Sequence, residues 1–357
     1  MRMCFLVVVL WAFVCERSLA ALVFEGQSGP GRGRHLVFIA GDHAYRSEES
    51  LPALARLLAK HHGFKCTVLF NIDPDTGHIV AGSSSNIPGL EALAGADLAV
   101  FFLRFQDLPD EQMEHIDRYL KRGGSVVGLR TATHAFRIPA GKQFAKYSFK
   151  SEVRGYELGF GHQVLGQSWV GHYGRNHRQS TRISIVEAMR GHPILSGVKD
   201  VWVPTGAYVG KPIDGEVLTM AQPLDGMEPD SPPSKSQAPM PSEWIRVYRA
   251  ESGVRARVFT SLCGTSEDLT NVGYRRLLVN GIFWACGLEN VIDPELNIAF
   301  VGPFRPNTFN NGGDARGIKP QAYAGFTSPI PAHNHVLNPG SKTTRGVSKR
   351  NQKESKQ

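Results

Sequence analysis

The chain has 357 residues, of which 41% are hydrophobic and 20% are charged, and its formal net charge is +8. This composition excludes a low-complexity chain and is sufficient for one large globular domain. Five cysteines in this length exclude a disulfide framework. Residues 342–357 carry six basic residues against one glutamate, with no aromatic residue among them, so the excess charge indicates a solvated tail and argues against a nucleic-acid partner.

The first twenty residues have the pattern of a secretory signal peptide. Arg2 precedes an unbroken apolar run over residues 5–14, and Ser18 and Ala20 place small residues at the −3 and −1 positions of a cleavage site. That run is too short to cross a bilayer of about 30 Å as a helix. We therefore predict cleavage after Ala20 and export to the periplasm or the cell exterior, with an uncleaved membrane anchor as the alternative. In an exported protein, we expect the basic tail to contact an anionic envelope surface.

Buried strands alternate with helices through the first part of the remaining chain. Apolar runs predict strands over 36–40, 66–70, 97–103 and 123–129. Apolar spacing and glycine stops predict helices over 51–60 and 110–121, with a short helix around Leu90 and Leu93. Weaker patterns predict strands over 201–203, 215–221 and 255–262, a Pro/Ser-rich surface loop over 223–243, and an amphipathic helix over 274–287.

This alternation predicts an α/β fold, namely a doubly wound, mostly parallel sheet with helices on both faces, as in flavodoxin-like proteins. The predicted folded domain covers residues 35–301. From residue 302 onward, Pro, Gly and Asn dominate and apolar periodicity is weak. We therefore predict that residues 302–357 form an irregular, basic and disordered tail.

Polar residues follow the predicted strands at the positions where such sheets bind ligands, beyond the carboxyl ends of the strands. Guanidinium groups there would bind hydroxyl oxygens and polarise a carbonyl, and a histidine beside a carboxylate would move a proton. The candidate catalytic residues are Asp42, His43, Arg130 and His134. The candidate substrate-binding residues are Arg46, Glu48, Arg104, Thr131, His172, His177 and Glu267.

Several of these residues also allow structural interpretations. Asp42 fits a helix cap, and Arg130 fits a structural ion pair with a carboxylate such as Glu48 or Asp107. His172 and His177 lie in a glycine-punctuated loop that suits a metal site, a sugar site or a solvated loop. Because no cysteine or carboxylate stands at ligand spacing beside them, we assign no metal. No phosphate-binding glycine loop follows the first strand, and no motif identifies a cofactor.

Four segments, in order along the chain, resemble the trehalose-utilisation (ThuA-like) family: 35–49, 97–136, 191–197 and 257–287. The resemblance implies a fold similar to class I glutamine amidotransferases and a link to disaccharide utilisation such as trehalose metabolism. In the amidotransferases a nucleophilic cysteine occupies the turn after the fourth strand, whereas this chain has Arg130 there. ThuA-like proteins lack that cysteine and often carry a histidine, so the arginine is a departure from the family pattern.

These observations together predict an exported protein that binds or converts a carbohydrate or keto-sugar by acid/base chemistry. Asp42 or His43 would move the proton, and Arg104 and Arg130 would stabilise negative charge. We expect Arg130→Ala to abolish sugar binding without lowering the melting temperature. The alternatives are a non-catalytic ligand-binding or envelope interaction module on the same scaffold, and a thiol hydrolase that uses Cys263.

Overall fold

The computed structural model describes residues 21–80, 85–310 and 317–331 of the chain. Its strands are β1 (Ala21–Glu25), β2 (His35–Gly41), β3 (Lys65–Phe70), β4 (Leu98–Leu103), β5 (Ser125–Leu129), β6 (Thr181–Ile185), β7 (Trp202–Val203), β8 (Glu216–Pro223), β9 (Met240–Arg249) and β10 (Arg255–Ser261). Its α-helices are α1 (Ser47–His62), α2 (Asp110–Lys121) and α3 (Val272–Ala285). The predicted signal peptide and the basic residues 342–357 lie outside the described residues.

The strands form one sheet in the order β1-β3-β2-β4-β5-β10-β9-β8-β6-β7. Strands β3, β2, β4, β5 and β10 pair in parallel. In β4, Leu98, Val100 and Phe102 pack on one face and the alternate residues on the other, all without solvent exposure. Helices α1 and α3 cover the first face and α2 covers the second. The predicted α/β class, with helices on both faces of a large sheet, is confirmed.

The prediction of a mostly parallel sheet is wrong. β1 pairs with β3 in the antiparallel direction, and β10, β9, β8, β6 and β7 follow one another as antiparallel neighbours. The sequence patterns did not identify β1, β6 or β9, and β9 begins at Met240 inside the predicted surface loop. These strands escaped prediction because an antiparallel strand can leave one face in water and then needs no continuous apolar run. β6 accordingly alternates buried and partly exposed residues and lacks a continuous apolar run.

The folded unit also extends beyond the predicted boundary at residue 301. Phe309, Ile318, Tyr323 and Ile330 are each at most 2% exposed and belong to the same core as α1 and α3. Arg56, which is fully buried on α1, donates hydrogen bonds to the carbonyl oxygens of Tyr323 and Ser328. These apolar residues have no helical or strand period, so local patterning could not reveal that they are core residues.

Within the described part of the chain, no helix is both long enough and apolar enough to cross a membrane.

Candidate functional site

The carboxyl ends of β2, β4, β5 and β10 meet at one edge of the sheet, as expected for parallel neighbours. After β5 the backbone enters a tight turn over residues 130–134. Arg130 opens this turn with φ of 42°, in the left-handed region that costs a residue with a side chain free energy. The surrounding contacts must therefore hold Arg130 in place.

Those contacts enclose the Arg130 side chain completely. Its guanidinium lies between the rings of Tyr45 and Tyr208, 4.1 and 4.2 Å from their centroids. It also donates hydrogen bonds to the carbonyl oxygens of Leu262, at 2.9 Å, and Gly206, at 3.0 Å. The residue has 0% exposure. Although burial opposes the charge, the neighbouring Tyr45, Tyr208 and Asp268 raise the pKa of Arg130 above its ordinary value. Arg130 thus joins three strand-end loops from beneath the site.

Asp42 is also buried and is bonded within the protein. Its Oδ2 accepts a hydrogen bond of 2.8 Å from the hydroxyl of Thr131, and its Oδ1 accepts from the backbone amides of Ala44 and Tyr45. Its own backbone amide donates a hydrogen bond of 3.0 Å to the hydroxyl oxygen of Ser47. The Asp42 carboxylate therefore holds the loop before α1 and ties it to the turn after β5, but it does not cap the helix, whose N-cap residue is Arg46.

Arg104 and His43 are half-buried at this edge of the sheet. Nη1 of Arg104 lies 2.7 Å from Nε2 of His43. Because arginine has no acceptor, Nε2 of His43 accepts this bond and that nitrogen is unprotonated. Below them His134 packs against Phe105 and Trp169, each with ring centroids 5.0 Å from its own. Burial, with the charges of Arg104 and Arg130, holds the pKa of His134 well below its usual value, so the ring is neutral near pH 7.

The loop 171–177 brings further polar groups to the same place. Gly174 and Gly206 let two loops cross closely, because a Cβ on Gly174 would lie 2.6 Å from the amide nitrogen of Ala207. At this crossing Asn176 donates to the hydroxyl of Tyr45 at 3.0 Å and accepts from the amide of Gly206 at 3.1 Å. The crossing fixes the loop that carries both candidate histidines.

A cavity of about 150 Å³ lies between these groups. Of the predicted site residues, Arg104, His172 and His177 line it. Burial, with Arg130 and Arg104, lowers the pKa of His172, and partial burial lowers that of His177. The other lining residues are Ala44, Tyr45, Asn176, Phe309 and Asn310, so no carboxylate is among the described residues that line the cavity.

Two predicted substrate-binding residues, Arg46 and Glu267, contact the C-terminal segment of the chain. Arg46 donates to the carbonyl oxygen of Thr308, and the carboxylate of Glu267 accepts from the hydroxyl of Thr308 and the amide of Phe309. Glu48 is buried beside them. Neither of its oxygens has a hydrogen-bond donor among the described residues, and Nη1 of Arg46 is 3.9 Å away. Burial and the adjacent Glu49 raise the pKa of Glu48 to about 8.

Cys263, the nucleophile of the thiol-hydrolase alternative, is buried in the protein core. It is 2% exposed, and burial raises the pKa of its thiol well above the ordinary value. A buried, protonated thiol is a poor nucleophile. The three cysteines of the described residues, Cys66, Cys263 and Cys286, are free and buried. No group of three or more His, Cys, Asp or Glu side chains suited to a metal ion is found in the ranges that the structure describes.

The sequence analysis did not find four of the residues that shape this cavity: Tyr45, Asn176, Phe309 and Asn310. Tyr45 and Asn176 lie in segments that had been singled out, two residues after His43 and four after His172, so their position was a usable signal. Phe309 and Asn310 had no such signal, because their segment is rich in Pro, Gly and Asn. They reach the cavity only through the path of the C-terminal segment.

Comparison with known proteins identifies the family. The sequence model of the ThuA family, described as trehalose utilisation, matches residues 34–285. A search of curated proteins finds no match to this chain.

Among solved structures, the chain is similar to a ThuA-like protein of Parabacteroides merdae, with 15% identity over 71% of this chain and 90% of that one, at a TM-score of 0.42. It is also similar to a ThuA-like protein of Bacteroides uniformis, with 14% identity over 76% of this chain and 98% of that one, at a TM-score of 0.43.

Proposed function

Since this chain belongs to the ThuA family, we propose that it is an exported protein that binds and converts an oxidised carbohydrate, a keto-sugar, at the strand-end cavity. The family description supports a role related to trehalose utilisation. The observation that carries the proposal is the lining of the cavity, which combines the Arg104 guanidinium with His172 and His177 and, within the described residues, has no carboxylate. Such a lining favours a ligand oxygen that carries or develops negative charge.

The size of the cavity limits the ligand. Pockets for drug-sized molecules measure about 300–1,000 Å³, whereas this cavity measures about 150 Å³. It therefore suits a single sugar ring, and any second sugar unit would lie outside it. Asn176, Asn310 and the hydroxyl of Tyr45 supply neutral hydrogen-bonding groups for the ring hydroxyls.

Arg104 and His43 supply the chemistry in this proposal. Arg104 donates hydrogen bonds to the carbonyl oxygen of a keto-sugar and stabilises the negative charge that develops there. His43, whose Nε2 is unprotonated while it accepts from Arg104, takes the proton from the adjacent carbon when the ligand displaces that bond. Asp42 and Arg130 act beneath them, by holding the loop after β2 and the ring of Tyr45 in place.

One observation favours a non-catalytic binding module as the second candidate. Both oxygens of the Asp42 carboxylate accept hydrogen bonds from Thr131 and backbone amides inside the protein. A carboxylate held in this way is available for loop structure and less so for proton transfer. In this alternative the cavity recognises the sugar, and the basic tail contacts an anionic envelope surface.

Calorimetric titration of the purified protein with glucose, trehalose and their keto derivatives tests the proposal. We expect the keto-sugars to bind more tightly than the parent sugars. Arg104→Gln removes a hydrogen bond from a charged donor, which contributes about 1.5–3 kcal/mol, so the affinity for keto-sugars should fall by about ten- to a hundredfold. Arg118→Gln is the matched control, because Arg118 is 66% exposed on α2.

Equal affinity for oxidised and parent sugars, or full binding by Arg104→Gln, would refute the proposal. Catalysis is tested separately by following the bound sugar with NMR. Turnover that is lost in His43→Asn while binding persists supports the enzyme. A keto-sugar that binds and is never converted supports the binding module.

A further inference from the structure

The short segment Asn307–Asn310, here called the strap, crosses the strand-end edge outside the residues that the family model matches. Both the amide and the side chain of Asn307 donate to the Glu49 carboxylate at 2.9 Å. The carbonyl oxygen of Thr308 accepts a hydrogen bond from Arg46, and the Glu267 carboxylate accepts from the Thr308 hydroxyl and the Phe309 amide. The amide of Asn310 donates to the carbonyl oxygen of Ala44 at 2.9 Å. The strap is thus fixed to the loops after β2 and β10.

This attachment places the Phe309 ring against two residues of the cavity wall. Phe309 is 2% exposed. Its ring stacks on the His177 imidazole with 4.3 Å between centroids and 19° between planes, and it contacts the Tyr45 ring at 5.4 Å. Tyr45 in turn covers the guanidinium of Arg130. A continuous stack of planar groups therefore runs from the strap to the turn after β5.

His177 depends on this stack for its orientation. Its backbone is in the left-handed region, with φ of 60°, and its side chain is exposed on the side away from Phe309. An exposed imidazole on a loop has several accessible rotamers, and the stacking contact selects one. In that rotamer His177 lines the cavity beside Asn176 and Asn310.

We propose that Phe309 is a positioning and specificity-determining residue, which holds His177 and Tyr45 on one wall of the cavity so that the C-terminal strap decides which sugar the site prefers. The specificity role rests on the proposed function, because it requires that a sugar binds in the cavity. The positioning part concerns the protein alone, and it can be measured without any ligand.

Phe309→Leu tests both parts, because leucine keeps an apolar side chain in the core and removes the ring. We expect NMR titration of His177 to show an altered ring-current shift and a pKa that rises toward the ordinary value, since part of its covering is lost. We also expect the ratio of Kd values for a keto-sugar and its parent sugar to change by about two- to tenfold. Phe304→Leu is the matched control, because the Phe304 ring packs against Phe300 in the same C-terminal region and does not line the cavity.

A double-mutant cycle shows whether Phe309 acts through His177. In a His177→Asn background, Phe309→Leu should change the ratio of Kd values less than it does in the wild-type background, because only the contact with Tyr45 is then lost. Unchanged His177 titration in Phe309→Leu overturns the positioning role, and an unchanged ratio overturns the specificity role. If the wild-type protein binds none of the sugars, the proposed function fails while the titration still decides the positioning role. Phe309→Met, which conserves more volume, takes the place of the leucine variant if the latter does not fold.

Discussion

Removal of the Arg130 side chain should destabilise the protein strongly. Arg130→Ala deletes two hydrogen bonds from a charged donor to Leu262 and Gly206 and two ring contacts at 4.1 and 4.2 Å. Each such hydrogen bond contributes about 1.5–3 kcal/mol, and a desolvated cation over a ring about 2 kcal/mol. Because contacts within one network are not additive, we expect a total loss of about 3–5 kcal/mol in the free energy of unfolding, the range found on breaking buried charged pairs.

The loss can be measured by thermal unfolding. An unfolding entropy of about 2.1 cal/mol/K per residue over roughly 300 folded residues converts it to a fall in Tm of about 5–8 °C. Arg130→Lys keeps the charge but not the planar fork, so it should melt between wild type and Arg130→Ala. The exposed Arg118→Ala should leave Tm nearly unchanged. An Arg130→Ala protein that melts with wild type would refute the structural role and restore the expectation, drawn from sequence alone, that its loss affects binding without affecting stability.

Two further predictions concern buried titratable groups. The folded-state pKa of Glu48, about 8, exceeds its ordinary value of 4.5, so stability present at pH 4.5 should be lost as the pH rises through 8. In urea unfolding, Glu48→Gln should lack this decline and exceed wild type at pH 8; parallel pH profiles of the two proteins would contradict the assignment. Cys263 should resist iodoacetamide in the native state and react after unfolding, because it is buried with a raised pKa. Rapid native alkylation, detected by mass spectrometry, would reopen the thiol-hydrolase alternative.

The parallel half of the fold was predictable from local sequence. Strands such as β4 are buried on both faces and are therefore continuous apolar runs with clear ends, and the helices between them show regular apolar spacing. β9 was not predictable in this way, since it contains Pro241, Glu243 and Arg246. Its polar residues are satisfied by partners elsewhere; the Glu243 carboxylate, for example, accepts from the hydroxyls of Ser242 and Ser261.

The sequence indicated the edge of the sheet where the candidate site lies, but it indicated fewer of the side-chain contacts within that site. The rule that ligands bind beyond strand ends pointed to the loops after β2, β4 and β5. Arg104, from the loop after β4, lines a cavity together with His172 and His177. It could not show that Arg46 and Glu267 would contact the strap, because Arg46 and Thr308 are 262 residues apart in sequence. The direction of a side chain at a strand end depends on whatever packs above it.

The sequence by itself determined the family, the α/β class and the edge of the sheet where polar residues gather, because these follow from local apolar periodicity and from motifs in order. Only the tertiary structure decided that Arg130 is enclosed between Tyr45 and Tyr208 and that Phe309 completes the cavity wall. The physical reason is that burial and hydrogen bonding of these groups depend on partners that are remote in the chain. Local patterning reports which residues prefer to be buried, whereas the packed fold determines what each of them touches.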